Sequence, residues 1–209
     1  MDPMNLKSPF FEKTQHSTRV FHDEESATKK LSTQLLSLLP AQKDRPIVFV
    51  CIGTDRSTGD SLGPLVGTKL NEKKVSSFHI FGTLEEPVHA VNLKETLKHI
   101  QKLFPNPFII GIDACLGRMK SVGSASLGIG PVKPGAGVNK ELPPVGDIHI
   151  TGVVNVSGFM EFFVLQNTRL HLVMCIADLI AKSIETAHNE REKEFNNSSG
   201  YQTVRHYKQ

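Results

Sequence analysis

The chain alternates between segments with the apolar pattern of strands and segments with the pattern of helices. Continuous apolar runs rich in β-branched residues predict fully buried strands at 46–53 and 107–114. Weaker patterns predict strands at 77–81 and 147–154. Apolar residues recur at helical spacing in four stretches, at 62–70, 91–103, 158–165 and 170–186. This order is typical of right-handed crossovers between parallel strands, so we predict a three-layer α/β/α fold with a mainly parallel sheet.

The two ends of the chain are more polar than its middle. We interpret residues 1–44 as an N-terminal extension, in which about the first fifteen residues are disordered and a helix through Leu31, Leu35 and Leu39 docks on the main body. Residues 45–188 are predicted to form the α/β/α domain. The segment 189–209 is charged and then polar, and we expect it to be a frayed tail.

The segment between the second long strand and the last one is rich in small residues. Weak alternation at 121–132 predicts a pair of short strands, and 133–146 is a loop dense in Pro and Gly. Gly135 and Gly137 permit close approach of the backbone to an extended ligand. The loop is therefore either one lip of a peptide groove or only a flexible crossover.

Composition and charge give no support to several classes of protein. The 209 residues are 39% hydrophobic and 22% charged, which is enough to bury one core of ordinary size. The net charge of +3 is far from the clustered basic field of nucleic-acid-binding proteins, and no apolar run has the length of a membrane span. No secretory signal is evident, so we expect a cytoplasmic protein.

Cysteine and histidine spacing gives no local metal site. The three cysteines, Cys51, Cys115 and Cys175, are far apart in apolar runs, which is typical of reduced, buried thiols. No CxxC or HExxH pattern occurs, so no metal or other cofactor is predicted. The hydroxyl-bearing residues lack a GxSxG elbow, and four histidines are too scattered to nominate a partner for a nucleophile: His79, His89, His149 and His171.

The loop after the first long strand has the composition of a binding site. Small or polar residues fill 53–61 before a helix begins, and backbone amides there could hold an anion or a peptide. Gly53, Thr54, Asp55 and Arg56 are the candidate substrate-binding residues, with Arg56 able to contact a carboxylate or phosphate. The loop lacks both the P-loop and the GxGxxG motif, which argues against a nucleotide.

Two acids follow neighbouring predicted strands and are the candidate catalytic residues. Asp60 alone could be a helix N-cap, and Asp113 alone could be a structural acceptor of loop amides. Together, they are expected at the same edge of the sheet, where parallel strands place their sites. Two facing carboxylates repel, so one retains its proton and a water molecule can be activated between them.

The motifs of these segments resemble those of the germination protease group. They stand in the same order at 52–54 with 58–64 (Thr-Gly-Asp-Ser-Leu-Gly-Pro), 111–114 (Gly-Ile-Asp-Ala), 133–138 and 151–154. More distantly, the arrangement is similar to the hydrogenase maturation endopeptidases. The resemblance implies a phosphorylase/hydrolase-like α/β/α fold. It also implies a peptidase with Asp60 and Asp113 as an atypical aspartic-type pair, or as nickel-contacting acids in the maturation endopeptidases.

These observations lead to one functional prediction and two alternatives. We predict a sporulation-associated endopeptidase that acts on a protein or peptide substrate in the cytoplasm of the sporulating cell or spore. The first alternative is a non-catalytic sporulation protein that binds a peptide or a small anion in the same crevice. The second is a metal-guided maturation peptidase. The sequence leaves the oligomeric state open, a homo-oligomer included.

Overall fold

Strands and helices alternate along most of the chain in the computed structural model, which describes residues 17–73, 75–135 and 142–203. The strands are β1 (Thr18–Phe21), β2 (Ile47–Cys51), β3 (Phe78–Phe81), β4 (Phe108–Gly117), β5 (Ser124–Ile129) and β6 (Ile148–Val156). The helices are α1 (Ala27–Leu38), α2 (Leu62–Glu72), α3 (Leu93–Leu103), α4 (Glu161–Gln166) and α5 (Leu170–Thr203), and a 3₁₀ turn spans Met119–Ser121.

One sheet joins the six described strands in the order β1-β5-β6-β4-β2-β3. The neighbours β3, β2, β4 and β6 are parallel, whereas β5 is antiparallel to both β6 and β1. Each parallel pair is connected through a helix or a long crossover, as parallel pairing requires. The predicted mainly parallel sheet is therefore confirmed, with an antiparallel edge.

Apolar side chains cover both faces of the sheet. Phe49 of β2 packs with residues of α1, α2 and α5 on one face, and its neighbour Val50 packs with Leu93 and Ile100 of α3 on the other. All three of the side chains Phe49, Leu93 and Ile100 are fully buried. Because successive strand residues point to opposite faces, β2 contributes to both cores. The three-layer α/β/α prediction is confirmed.

The N-terminal segment is part of the sheet, which differs from the predicted extension. Thr18–Phe21 pairs with Leu127–Ser124 of β5, and Val20 is fully buried in the same core as Leu31 and Leu35 of α1. Four residues are too few to show a strand pattern, and their partner is more than a hundred residues away in the sequence. Residues 1–16 lie outside the described residues.

The C-terminal helix also continues past the predicted boundary at 188. Ala187, His188 and Arg191 are buried, and the Arg191 guanidinium donates to the carbonyl oxygens of Pro40 at 2.6 Å and Gln42 at 3.1 Å. A charged residue therefore occupies a core-facing position, which hid the helical pattern in the sequence. No helix in the described residues is long and apolar enough to cross a membrane.

The segment 121–132 contains one strand and not the predicted pair. After β5, only an isolated bridge between Val132 and Val145 continues the pairing. This bridge packs against the face of β4, because a side chain at Gly111 would lie 2.7 Å from the Val132 methyl and the Val145 carbonyl. The tip of the loop, 136–141, is outside the described residues.

Candidate active site

Asp113 lies in β4 at the point where its neighbour β2 ends. The last residue pair between the two strands is Cys51 with Ile112, so Asp113 is the first β4 residue beyond β2. The sequence placed Asp113 at the end of its strand, but β4 continues to Gly117 because β6 keeps pairing with it. Asp113 thus stands on a continuous strand, with space beside it where β2 has stopped.

The loop after β2 folds back so that Asp60 returns to the end of that strand. Gly53 has a φ of +148° and donates its N–H to the Val88 carbonyl at 2.8 Å, and the Thr54 N–H donates to the Asp60 carbonyl at 3.2 Å. A Cβ atom at Gly53 would lie only 1.9 Å from the Asp60 carbonyl oxygen. Glycine is therefore required here for the loop to close on itself.

Asp60 does not cap the helix that follows it. Helix α2 begins at Leu62 and Ser61 precedes it, with no side-chain capping hydrogen bond. The Ser61 hydroxyl instead donates to the Thr58 carbonyl at 2.7 Å. The N-cap alternative for Asp60 is therefore wrong, and its carboxylate is left to face the cavity described next.

A cavity of about 470 Å³ at the carboxyl edge of the sheet joins the two acids. Six of the predicted site residues line it: Gly53, Thr54, Arg56, Asp60, Asp113 and Gly135. Asp55 does not line it, because its exposed carboxylate turns back to accept a 3.4 Å hydrogen bond from the Thr54 hydroxyl. Gly137 lies outside the described residues. The structure therefore brings together both candidate acids and four of the six candidate binding residues.

The two carboxyl groups affect each other's ionisation. Burial, followed by the negative charge of Asp60, raises the pKa of Asp113 to about 8, against the opposing effect of the Ala114 amide. Burial also raises the pKa of Asp60, whereas the hydroxyl of Ser57 lowers it. Asp113 is therefore the member of the pair that holds a proton at neutral pH, and Asp60 is the member that ionises first.

Two polar side chains of the cavity wall have unused hydrogen-bonding capacity. Ser57 Oγ and His89 Nδ1 are buried and have no hydrogen-bond partner in the described part of the chain. Buried polar atoms of this kind are uncommon and cost stability. In the sequence, His89 is one of several scattered histidines and Ser57 is one of several hydroxyl-bearing residues, and nothing in their spacing distinguishes them from the others.

The third polar group beside the acids is the thiol of Cys115. Burial and the Asp113 charge raise its pKa to about 11, although the Thr151 hydroxyl and the Arg19 charge lower it. The thiol is therefore protonated at neutral pH, and it is unsuited to act as a nucleophile.

Helix α4 supplies an apolar wall that the sequence did not predict as part of the site. Phe162 and Leu165 line the cavity together with Glu161 and Gln166, and the Leu165 carbonyl accepts the N–H of Gly59 at 2.8 Å. Beside this wall, four apolar side chains in five consecutive positions are at least half exposed: Phe159, Met160, Phe162 and Phe163. A surface of this kind is typical of sites that bind another molecule.

The donor atoms of the site do not form a metal centre. No group of three or more His, Cys, Asp and Glu side chains lies close enough to hold a metal ion in 17–73, 75–135 and 142–203. Two carboxylates alone are a poor site for nickel, which favours imidazole or thiolate ligands. We therefore derive no chemical step through a metal ion.

Comparison with known proteins supports the fold and identifies the family. The structure is similar to the NiFe hydrogenase maturation protease HycI from Thermococcus kodakarensis KOD1, with a TM-score of 0.50 and 17% sequence identity over 75% of this chain and 99% of that one. The predicted similarity to the maturation endopeptidases is thus confirmed for the fold. The uncharacterized protein YyaC of Bacillus subtilis (strain 168) is 57% identical over 182 residues, which cover 87% of this chain and 89% of YyaC. Residues 19–183 match the family described as "Protein of unknown function (DUF1256)", and the chain belongs to that family.

Proposed function

We propose that this protein is an endopeptidase. The peptide bond of the substrate is hydrolysed while it lies between the carboxyl groups of Asp60 and Asp113. The observation that carries the proposal is that both acids line one cavity, where burial and the charge of Asp60 raise the pKa of Asp113. Such coupling keeps one carboxyl protonated beside one carboxylate, which is the state needed for acid and base catalysis on the same substrate.

The ionisation order assigns a role to each acid. Asp60 accepts a proton from water as the water oxygen attacks the carbonyl carbon of the substrate, and Asp113 gives its proton to the carbonyl oxygen. When the tetrahedral diol collapses, Asp60 transfers its proton to the leaving amine, one of the two diol hydroxyls returns its proton to Asp113, and the other hydroxyl stays in the carboxylic acid product. Both acids then have their starting protonation states, and one water has been consumed.

The cavity walls suit a polypeptide chain. Gly53, Gly135 and Arg56 all line the cavity, where an extended peptide can contact them. Three apolar side chains, Leu142, Phe162 and Leu165, also line the cavity and can accommodate a hydrophobic side chain of the substrate. The fold shared with a maturation protease supports a protein substrate.

The proposed setting is the cytoplasm of a sporulating cell or spore. The motifs at 58–64 and 111–114 that resemble the germination proteases support this setting, and they include both acids. The 57% identity to YyaC indicates that any activity found here is to be sought in that protein as well.

The alternative of a non-catalytic binding protein predicts acids saturated by backbone amides. Within the described residues, the Ala114 amide is the one backbone group that stabilises either charged carboxylate, and the Ser57 hydroxyl is near enough to lower the pKa of Asp60. Because carboxylates used as loop braces accept several amides, the observed arrangement favours catalysis.

The test compares the proteolytic activity of the unmodified protein with that of three variants, each of which lacks a different carboxylate. Asp60→Asn and Asp113→Asn should each lower kcat by about 10² to 10⁴-fold on a peptide library analysed by mass spectrometry. Asp178→Asn, which removes an exposed carboxylate paired with Lys69 on another surface, should retain full activity. Full activity in a correctly folded Asp113→Asn variant would show that the mechanism is wrong.

The same assay at varied pH tests the assignment of the proton. The value of kcat/KM should fall as pH rises through about 8, because Asp113 then loses the proton that it must donate. At low pH it should fall when Asp60 becomes protonated, at a pH above the ordinary Asp range because burial raises that pKa. A pH profile that stays flat through the alkaline region contradicts the role of Asp113 as the acid.

A further inference from the structure

A row of polar side chains crosses four strands of the sheet from the cavity to the outer edge. Asp113 of β4 pairs with Thr151 of β6, Thr151 pairs with Ser126 of β5, and Ser126 pairs with Arg19 of β1. Residues directly opposite each other on adjacent strands have their side chains on the same face. The four side chains therefore form one row, with the candidate catalytic acid at one end and a cation at the other.

The face that carries this row is partly open to solvent. Val20, Leu127, Ile150 and Ile112, which alternate with the row residues along their strands, are fully buried on the other face. In contrast, Arg19 is exposed, and Ser126, Thr151 and Asp113 are partly exposed. A ligand that occupies the cavity can therefore continue across this surface.

Arg19 is held over the row, and no acidic side chain in the described part of the chain forms an ion pair with it. Its Nε donates to the Ser126 hydroxyl at 3.1 Å, which directs the side chain along the sheet. Its positive charge acts on the thiol of Cys115, which lines the cavity and also interacts with the Thr151 hydroxyl. No carboxylate in the described residues forms a salt bridge with Arg19. The guanidinium thus retains free donors close to the proposed site.

We propose that Arg19 binds a carboxylate of the peptide substrate a few residues away from the bond that is cleaved, which makes it a specificity-determining residue. This inference rests on the proposed endopeptidase function. A guanidinium presents donors in a fixed fork that matches a carboxylate, so an acidic side chain or a free C-terminus is the group that fits.

The spacing of the strands gives the distance along the substrate. Adjacent strands lie about 4.8 Å apart, so the Cα atoms of Asp113 and Arg19, three strands apart, are separated by about 14 Å. The Arg19 side chain reaches over Ser126 on the adjacent strand, which shortens this span by about one strand spacing, roughly 5 Å. An extended peptide advances about 3.3 Å per residue, which places the carboxylate roughly two to four residues from the scissile bond.

The experiment compares matched peptides that differ in one carboxylate. Glu is placed two, three or four residues from the cleavage site on either side, and each peptide has a Gln counterpart, with both free and amidated C-termini. Cleavage is measured as kcat and KM, and binding is measured separately by fluorescence anisotropy with the Asp113→Asn variant, so that it does not depend on turnover. Each measurement is repeated with Arg19→Gln, Arg19→Lys and Arg45→Gln.

Arg45 is the matched control for the loss of one positive charge. Its Nε also donates a 3.1 Å hydrogen bond, to the Asn106 carbonyl. Arg45 precedes β2 at the amino end of that strand, whereas the cavity lies at the carboxyl ends of the strands. Arg45→Gln therefore changes the net charge equally without altering the row.

At one of the tested positions, the unmodified protein should favour the Glu peptide over its Gln counterpart by roughly tenfold, mainly in KM and in the binding constant. Arg19→Gln should abolish this preference in both KM and the binding constant, Arg19→Lys should retain part of it, and Arg45→Gln should retain all of it. A preference that depends on a free C-terminus and not on Glu identifies the terminal carboxylate as the bound group.

Two results would overturn the inference, and they are distinct from failure of the proposed function. Peptides that are cleaved with no preference for Glu or a free C-terminus show that Arg19 does not read a carboxylate, although the protein is a peptidase. Equal binding of the Glu and Gln peptides gives the same conclusion if no peptide is cleaved. If the unmodified protein cleaves no peptide but binds the Glu peptide in a way that depends on Arg19, only the proposed peptidase activity is overturned.

Discussion

Burial and, after it, the negative charge of the nearby Asp60 carboxylate raise the pKa of Asp113 to about 8. The two residues are 53 positions apart in the sequence, on a loop after β2 and on β4, and the parallel pairing of these strands brings them together. An acid with this pKa destabilises the folded state when it is ionised, so its presence at the edge of a well-packed sheet calls for a functional reason.

The stability of the protein should depend on pH through Asp113. Its pKa in the folded state is about 8 and the ordinary Asp value is 3.8, so the folded state binds more protons than the unfolded state between these values. This stabilisation is present below about pH 4 and is lost as pH rises through about 8. Asp113→Asn cannot ionise, and at about pH 9 it should be more stable than the unmodified protein by roughly 1–3 kcal/mol.

Urea unfolding at about pH 4 and about pH 9 measures this difference. The two proteins should be nearly equal at the lower pH, and Asp178→Asn should show no comparable gain at the higher one. If Asp113→Asn is the less stable protein at both pH values, the carboxyl group is a structural hydrogen-bond acceptor and not a destabilised acid.

Two buried serines of the same loop should respond in opposite ways to removal of their hydroxyl groups. Ser57 Oγ has no hydrogen-bond partner in the described residues, whereas Ser61 Oγ donates to the Thr58 carbonyl at 2.7 Å. Ser61→Ala should lower the free energy of unfolding by about 1 kcal/mol and leave the pH profile of activity unchanged. Ser57→Ala should not lower stability, and because the hydroxyl lowers the pKa of Asp60, the acidic limb should move to higher pH.

Thermal or urea unfolding together with kcat/KM against pH separates these effects. A Ser57→Ala variant that loses as much stability as Ser61→Ala, with an unchanged acidic limb, would show that the Ser57 hydroxyl is an ordinary structural group.

The loop that carries Asp60 should tolerate no side chain at its first glycine. Gly53→Ala places a methyl group 1.9 Å from the Asp60 carbonyl oxygen and requires a φ of +148° that L-residues rarely adopt. We expect a loss of about 2 kcal/mol or more in the free energy of unfolding, together with loss of activity. Gly158→Ala, which has nothing within 4 Å, should change neither property appreciably. Equal stabilities of the two variants would contradict the described loop conformation.

The segment after 188 should contribute to stability through Arg191. This buried side chain donates to the carbonyl oxygens of Pro40 and Gln42, so it fastens α5 to the connection between α1 and β2. Arg191→Ala should lower the free energy of unfolding by about 2 kcal/mol, whereas Lys193→Ala, at an exposed position, should change it little. If Arg191→Ala leaves the free energy of unfolding unchanged, the result would support the predicted frayed tail.

The central part of the fold follows from local patterns in the sequence. The apolar runs at 46–53 and 107–114 correspond to β2 and β4, because strands that are buried on both faces must be apolar throughout. The rule that sites form at the carboxyl edge of a parallel sheet predicts Asp60 and Asp113 at the same edge. In the structure both residues line one cavity there. Both steps use information within a few residues of each element.

The remaining features depend on contacts between distant segments. The place of Arg19 in the row follows from pairing of β1 with β5, and no local pattern in 18–21 indicates that partner. The cavity wall formed by α4 depends on where the chain turns after β6, and the Leu165 carbonyl accepts the N–H of Gly59, about a hundred residues earlier. Tertiary contacts of this kind are not encoded in hydrophobic periodicity.

The ionisation of the two acids can be measured directly, without knowledge of the substrate. The side-chain carboxyl carbons of the aspartates are labelled with ¹³C, assigned with the Asp60→Asn and Asp113→Asn variants, and followed by NMR as the pH is raised. The pair should titrate in two steps, with the upper step near 8 and assigned to Asp113, and the Asp113 pKa should fall in Asp60→Asn because the neighbouring charge is gone. Titration of both carboxyl groups below about pH 5 would contradict a shared proton, and with it the proposed catalytic pair.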